Sequence, residues 1–219
     1  MFVTRYPLCG LLLVGSALLA GCAGSPSARY YTLQTEPQAV AASPASRVDY
    51  QIEVLPVTVP QQADQPQIML RDAQGDGGAL TPMYSDRWSA PLADEMRSAL
   101  ADRLTHQLGA LDVQTLTPAQ DVPVWRIQVD VQRFDMMIGG SARLDATWRV
   151  RPLKVKGGRA LICRSVVQLP ADDTNVVSSL VRAQQEAVKL LADTIASGIQ
   201  SGGVKAESTS PSVQLMGCA

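Results

Sequence analysis

The chain is poor in aromatic residues, which make up 5% of its 219 positions, and it holds a single histidine, His106. No dense Lys/Arg run occurs, and 19 basic residues nearly balance 20 acidic ones. That balance leaves no electrostatic footprint for nucleic acid and no polybasic run for an anionic lipid surface. Four cysteines are too few for a disulfide scaffold. A domain of this length buries roughly 70% of the surface of its unfolded chain, so it needs no such scaffold to fold. Motifs of chemistry are also missing. There is no Gly-x-Ser-x-Gly elbow, no phosphate loop and no His-Glu-x-x-His spacing. A Ser/His/Asp set would have to use His106, which falls two places before Leu108 on the polar side of a helical pattern. Residues 75–78, Gly-Asp-Gly-Gly, lack the alternating oxygen ligands and closing Glu of a calcium loop and read as a turn. The expectation is a protein that is not an enzyme, with no metal and no cofactor.

What is present begins at the N-terminus. Arg5 is the one charge before an apolar run from Leu8 to Ala20, too short to cross a ~30 Å hydrocarbon core as a lasting helix. Residues 1–21 therefore read as a secretory signal. The run ends in Leu19, Ala20, Gly21 and Cys22, which resembles the bacterial lipobox, where small residues precede a cysteine that is acylated, freed and acylated again. The competing reading is an ordinary signal with an incidental cysteine. With a diacylglycerol and an N-acyl chain on Cys22, three chains hold a protein far more firmly than one, at about 0.8 kcal/mol per buried CH₂. Ala23, rather than Asp, follows the cysteine, which by the sorting pattern of enterobacterial lipoproteins implies the periplasmic leaflet of the outer membrane. Removing Arg5 with the signal leaves 18 basic against 20 acidic residues in the mature chain. Residues 22–28 form a lipidated tether that reaches about 20 Å when extended.

The mature domain, residues 29–200, shows two periodicities. Arg29 to Leu33 is a β-former run, and Arg47 to Val59 alternates with one phase change, so a bulge is expected near Leu55-Pro56. Pro66 to Arg71 and Leu80 to Tyr84 flank a glycine-rich turn and predict a hairpin. Leu92, Met96, Leu100, Leu104 and Leu108 recur every four residues and predict an amphipathic helix over 89–108, with Ser89 as N-cap and Gly109 at C′. A short strand is expected over 112–116. Three further strands follow, carrying Trp125 to Val131, Leu144 to Val150 and Ala160 to Leu169, with glycine pairs at 139–140 and 157–158 as turns. A second helix from about Thr174 to Gln200 has Val177, Val181, Val188, Leu191, Ile195 and Ile199 as its stripe, interrupted by Gln184, and Asp172 or Asp173 as cap. Residues 201–219 read as a mobile tail. The fold class is α+β, an antiparallel or mixed sheet with two long amphipathic helices on one face. Cys163 and Cys218 either form a disulfide in an oxidising compartment or remain a buried thiol and a dangling one.

The order of these features is similar to that of the ABC-type transport auxiliary lipoproteins, above all the PqiC-like (YmbA-like) members that serve Pqi systems. The resemblance is carried by the lipobox, Tyr30-Tyr31-Thr32-Leu33, the Val54–Val59 strand leading to Pro66, Gln67, Ile68 and Arg71, then Arg87-Trp88 and Pro91-Leu92 opening a helix. It implies an outer-membrane lipoprotein facing the periplasm. Its implied role is that of an adaptor for an MCE-domain envelope-spanning protein that carries lipid between membranes, in the service of membrane integrity. The alternative is a periplasmic carrier that itself holds one lipid between helices and sheet. Pro66 to Arg71 is either a rigid edge strand or a docking surface, and an exposed edge would also serve a homo-oligomer. Trp88 is either a staple on the first helical turn or, with Arg87, a partner contact.

Overall fold

A computed structural model describes residues 27–35, 48–72, 78–116, 121–171 and 176–219. The lipobox, Cys22, the turn at 73–77 and the cap candidates Asp172 and Asp173 lie outside the described residues. The strands are β1 (Arg29–Tyr31), β2 (Gln51–Val54), β3 (Gln67–Asp72), β4 (Leu80–Trp88), β5 (Val124–Ile138), β6 (Ser141–Leu153), β7 (Leu161–Pro170) and β8 (Val213–Cys218). The helices are α1 (Leu92–Leu108) and α2 (Val176–Gln200). One eight-stranded mixed sheet results, ordered β1-β4-β3-β5-β6-β7-β8, with β2 also paired to β5. The fold is α+β, as the pattern predicts.

Strand alternation builds the core. Trp125, Ile127 and Val129 on β5, Ala146, Trp148 and Val150 on β6, and Leu161, Cys163 and Val167 on β7 are all buried on the helix-facing side. Helix α2 crosses β5, β6 and β7, and α1 packs on α2 and β2. The stripe residues of both helices are buried. Gln184 is buried within the α2 stripe because its amide donates to the Asp135 carbonyl at 2.9 Å and to the Arg143 carbonyl at 3.4 Å, fixing the helix to β5 and β6. The indole of Trp148 donates to Ser165 Oγ at 2.9 Å, so its one polar atom is satisfied in the core.

The expected phase slip is present. Val54 stands opposite Ile127 and Thr58 opposite Asp130, so four residue steps on this strand match three on β5. Several expectations require correction. Helix α1 starts at Leu92 with Pro91 at the N-cap and no side-chain cap bond. Proline forces the preceding Ala90 out of helical backbone, which excludes Ser89 as the cap. Trp88 is accordingly not a staple but the last residue of β4, opposite Tyr31, with its ring edge-on to Phe134 at 6.0 Å. Residues 112–116 supply a single bridge, Asp112 to Ile52, rather than a strand. Strand β3 lies between β4 and β5 in the sheet order, but it pairs with β5 only at Arg71 and Asp72, so the edge expectation fails at that end of the segment alone.

The tail expected to be mobile closes the sheet instead. Residues 213–218 pair antiparallel with β7, and Cys163 is bonded to Cys218. Ile162 and Ala219 exchange both backbone bonds, which makes the neighbouring Cys163–Cys218 pair the non-hydrogen-bonded kind, where side chains lie closest. The end of α2 is locked to the β6–β7 turn, with Arg159 N–H donating to the Gly202 carbonyl at 2.9 Å. Gly203 has φ +78°, and a Cβ there would stand 1.8 Å from the Arg159 carbonyl oxygen.

Candidate functional site

Three pieces of the family-like pattern, far apart in sequence, meet at the junction of β1, β3, β4 and α1. The Ser89 amide donates to the Tyr31 carbonyl at 2.8 Å, and the Trp88 amide to the Pro66 carbonyl at 3.0 Å. Two buried carboxylates hold the junction together. Asp86 accepts from Arg29 at 2.8 Å and from the Tyr31 hydroxyl at 3.0 Å. Glu95 accepts from the Thr32 hydroxyl at 2.6 Å, the Leu33 amide at 2.8 Å and the Ser89 hydroxyl. Gln185 of α2 donates to the Thr32 carbonyl at 2.9 Å. A carboxylate accepting several bonds offsets its own desolvation, which is why these acids tolerate burial. The hydrogen bond from Arg29 to Asp86 raises the guanidinium pKa further. Burial, then the bond to Asp86, raises the Tyr31 hydroxyl pKa above its usual 10.0.

This arrangement ties β1, β4 and α1 to one another. It fixes residues 32–33, which follow β1, to the start of α1. The docking candidates divide accordingly. Ile68 and Trp88 are core residues, Arg71 is half-buried with Asp135 at 3.2 Å, and Gln67 and Arg87 are partly exposed, while Pro66 reaches solvent. Ile68 and Trp88 are therefore withdrawn from any partner, while Pro66, Gln67 and Arg87 keep surface exposed to solvent. His106 is exposed on α1, 3.7 Å from Asp102. Among the described residues no group of His, Cys, Asp and Glu is arranged to hold a metal, and no helix is long and apolar enough to cross a membrane.

A second cluster is not among the candidate sites read from the sequence, although strand alternation alone places Arg143, Asp145, Arg149 and Arg151 on one side. The face of β5, β6 and β7 away from the helices carries Arg126, Arg133, Arg143, Arg149, Arg151 and Arg164, against the acids Asp130, Asp135 and Asp145. Asp145, 1% exposed, binds Arg164 through two bonds of 2.9 and 2.8 Å and lies 4.0 Å from Arg143. Arg126 is paired with Glu53 of β2 at 2.7 Å. Arg149 and Arg151 are exposed and border a shallow cleft with Leu55, Arg126 and Gln128. The signal was in the sequence, as alternating arginines at 149 and 151. A search for contiguous charge passes over it, because a strand gathers every second residue on one face.

No curated protein matches the chain. Two solved structures share its fold. One, described only as an uncharacterized protein, is 15% identical with a TM-score of 0.61, and the match covers 80% of this chain and 99% of that one. The other, protein XCC0632 from Xanthomonas campestris, assigned to the family DUF330, is 16% identical with a TM-score of 0.52, covering 81% of this chain and 94% of the other. The model of the ABC-type transport auxiliary lipoprotein component matches residues 31–196, from the Tyr31 junction almost to the end of α2. The chain therefore belongs to the family of ABC-type transport auxiliary lipoproteins, membrane-anchored components of transport systems.

Proposed function

We propose that the protein is a non-enzymatic adaptor of an MCE-type inter-membrane lipid-transport system, held to the periplasmic leaflet of the outer membrane by acyl chains on Cys22. Family membership supplies the transport context. The observation that favours an adaptor over a carrier is the closeness of helix to sheet. A Cβ placed on Gly198 of α2 would lie 3.2 Å from the Trp148 ring and 3.3 Å from Leu161, so this helix rests directly on β6 and β7. Trp125, Trp148, Leu191 and Ile195 fill the layer between them at 2% exposure or less. Interiors packed to that density have no space for an acyl chain without separating the layers. Self-association remains part of this reading, with β1 and β8 as the outermost strands of the sheet.

The test is purification of the acylated protein in mild detergent together with the MCE-domain protein of its own organism. Intact mass of the product reads the state of Cys22, and lipid analysis reads cargo. The expected result is a stoichiometric complex, a triacylated N-terminus and no bound lipid beyond the anchor. A bare N-terminus, or one tightly held lipid per chain without the MCE partner, would overturn the reading.

A further inference from the structure

We propose that the open face of β5, β6 and β7 is a docking surface for anionic phospholipid headgroups, so that the domain lies sheet-down on the membrane that anchors it. The inference rests on the acyl tether of the proposed function and adds an orientation and a lipid preference to it. Although the mature chain is nearly neutral, its charge is segregated: six arginines and three aspartates share this face. Four of the arginines have an acidic neighbour within the fold, Arg126 in Glu53, Arg133 in Asp135, and Arg143 and Arg164 in Asp145. Arg149 and Arg151 are exposed and have no acidic partner among the described residues.

Folding does not account for that placement. Arg126 stands directly opposite Arg151 in the antiparallel ladder, and like charges in that position repel. Glu53 relieves only one of the two. An external anion seated in the cleft between Arg126, Arg149 and Arg151 would relieve the rest, and guanidinium matches phosphate oxygens with paired hydrogen bonds. Ile162, 41% exposed, stands opposite Arg149, so the face offers apolar surface beside its cations, the composition of elements that lie in a bilayer interface.

The tether selects the occupant. Arg29 begins β1 only seven positions after Cys22, a span of about 25 Å when extended, and β1 is the edge strand of the same sheet. The domain cannot leave the bilayer, so phosphate headgroups are the polyanion permanently within reach. Each arginine brought to an anionic leaflet strengthens association roughly fivefold, which two unpaired arginines compound.

Arginine-specific labelling of the acylated protein reconstituted in liposomes tests this without any transport partner. Phosphatidylcholine liposomes with and without phosphatidylglycerol are compared, using phenylglyoxal and peptide mass spectrometry. Arg149 and Arg151 should react roughly tenfold more slowly in the anionic liposomes, the protection fading in high salt as screening shortens the reach of charge. Arg182, exposed on α2 at the opposite side, should react equally in both. Arg164, exposed on the same face, should be protected with them, and in the double variant Arg149→Gln/Arg151→Gln, whose changes are both at the surface, that protection should disappear. Equal labelling of Arg149 and Arg151 in the two liposomes, or protection of Arg182 instead, would overturn the proposal. Protection that arises only when the MCE protein is added would overturn it too, assigning the face to a protein while leaving the adaptor reading intact.

Discussion

The two halves of this sheet are held by different means. In the half made of β5 to β8 and α2, the long strands β5, β6 and β7 pair antiparallel through short turns, β5 with β6 from Val124–Leu153 to Met136–Ala142, and β8 joins β7 after α2. In the half made of β1 to β4 and α1, the strands β1 and β2 are three and four residues long and pair in parallel with β4 and β5, far along the chain. A hairpin brings its strands together at little entropic cost, whereas a parallel pair must first close a long crossover. The second half offsets that cost with carboxylates. Asp86 and Glu95 tie β1 to β4 and α1, and Asp112 accepts the Val54 amide at 3.1 Å while also binding Arg97. Apolar alternation secures one half, and a few polar clamps secure the other.

The largest effect belongs to the bond that closes the hairpin half. Cys163–Cys218 spans a sequence separation of 55, which corresponds to about 4 kcal/mol in the chain-entropy account of disulfides. Cys218→Ser should lower stability by about 2–4 kcal/mol in urea denaturation. Hydrogen exchange should then accelerate first in β8 and along β7. Equal acceleration at Leu33 and Tyr31 would break the comparison, because it would make the two halves a single cooperative unit.

The polar half has its own point of failure. Removing the carboxylate in Glu95→Ala leaves the buried Leu33 amide without its acceptor and frees the Thr32 and Ser89 hydroxyls, a loss of about 2–3 kcal/mol. Glu95→Gln keeps one acceptor oxygen and should lose about 1 kcal/mol. Exchange should rise in β1 and at the start of α1 while β7 and β8 stay protected. If β8 opens as readily as β1, the polar clamps are not confined to their half.

This division also sets what was legible in the sequence. Trp125 to Val131, Leu144 to Val150 and both leucine and valine stripes announce themselves, because their partners are the next elements along the chain and alternation alone selects the face. Strand β8 did not announce itself. Residues 213–218 pair with a strand some 50 positions earlier, across a register shift at Arg164/Ser165. The place of β3 between β4 and β5 was equally hidden, since local pattern gives a strand but not its neighbours. Trp88 was misplaced because Pro91 delays the helix and lets β4 continue. The pieces Tyr31-Thr32-Leu33 and Arg87-Trp88 were visible as a pattern, yet only the fold brings both to Asp86 and Glu95. Cys22 lies outside the described residues, so the anchoring step rests on the lipobox and the family alone.

The smallest expected effect is a pH dependence confined to the polar half. Burial, followed by the hydrogen bond to Asp86 and that carboxylate's charge, raises the Tyr31 pKa above 10.0, with Arg29 pulling the other way. Burial, then Asp49, raises Tyr50 as well. A raised pKa means that the folded chain holds the phenolic proton more tightly than the unfolded one. The associated stability is complete below pH 10 and is lost as the pH climbs through the folded-state value. Tyr31→Phe removes one hydrogen bond at neutral pH, about 0.5–1.5 kcal/mol, but also removes the ionisation. The gap between wild type and Tyr31→Phe should therefore narrow in urea denaturations carried from neutrality past pH 10. Tyr50→Phe, which leaves Asp86 untouched, should flatten the alkaline decline without the loss at neutrality. A gap that stays constant across the series would mean that Tyr31 ionises as easily folded as unfolded.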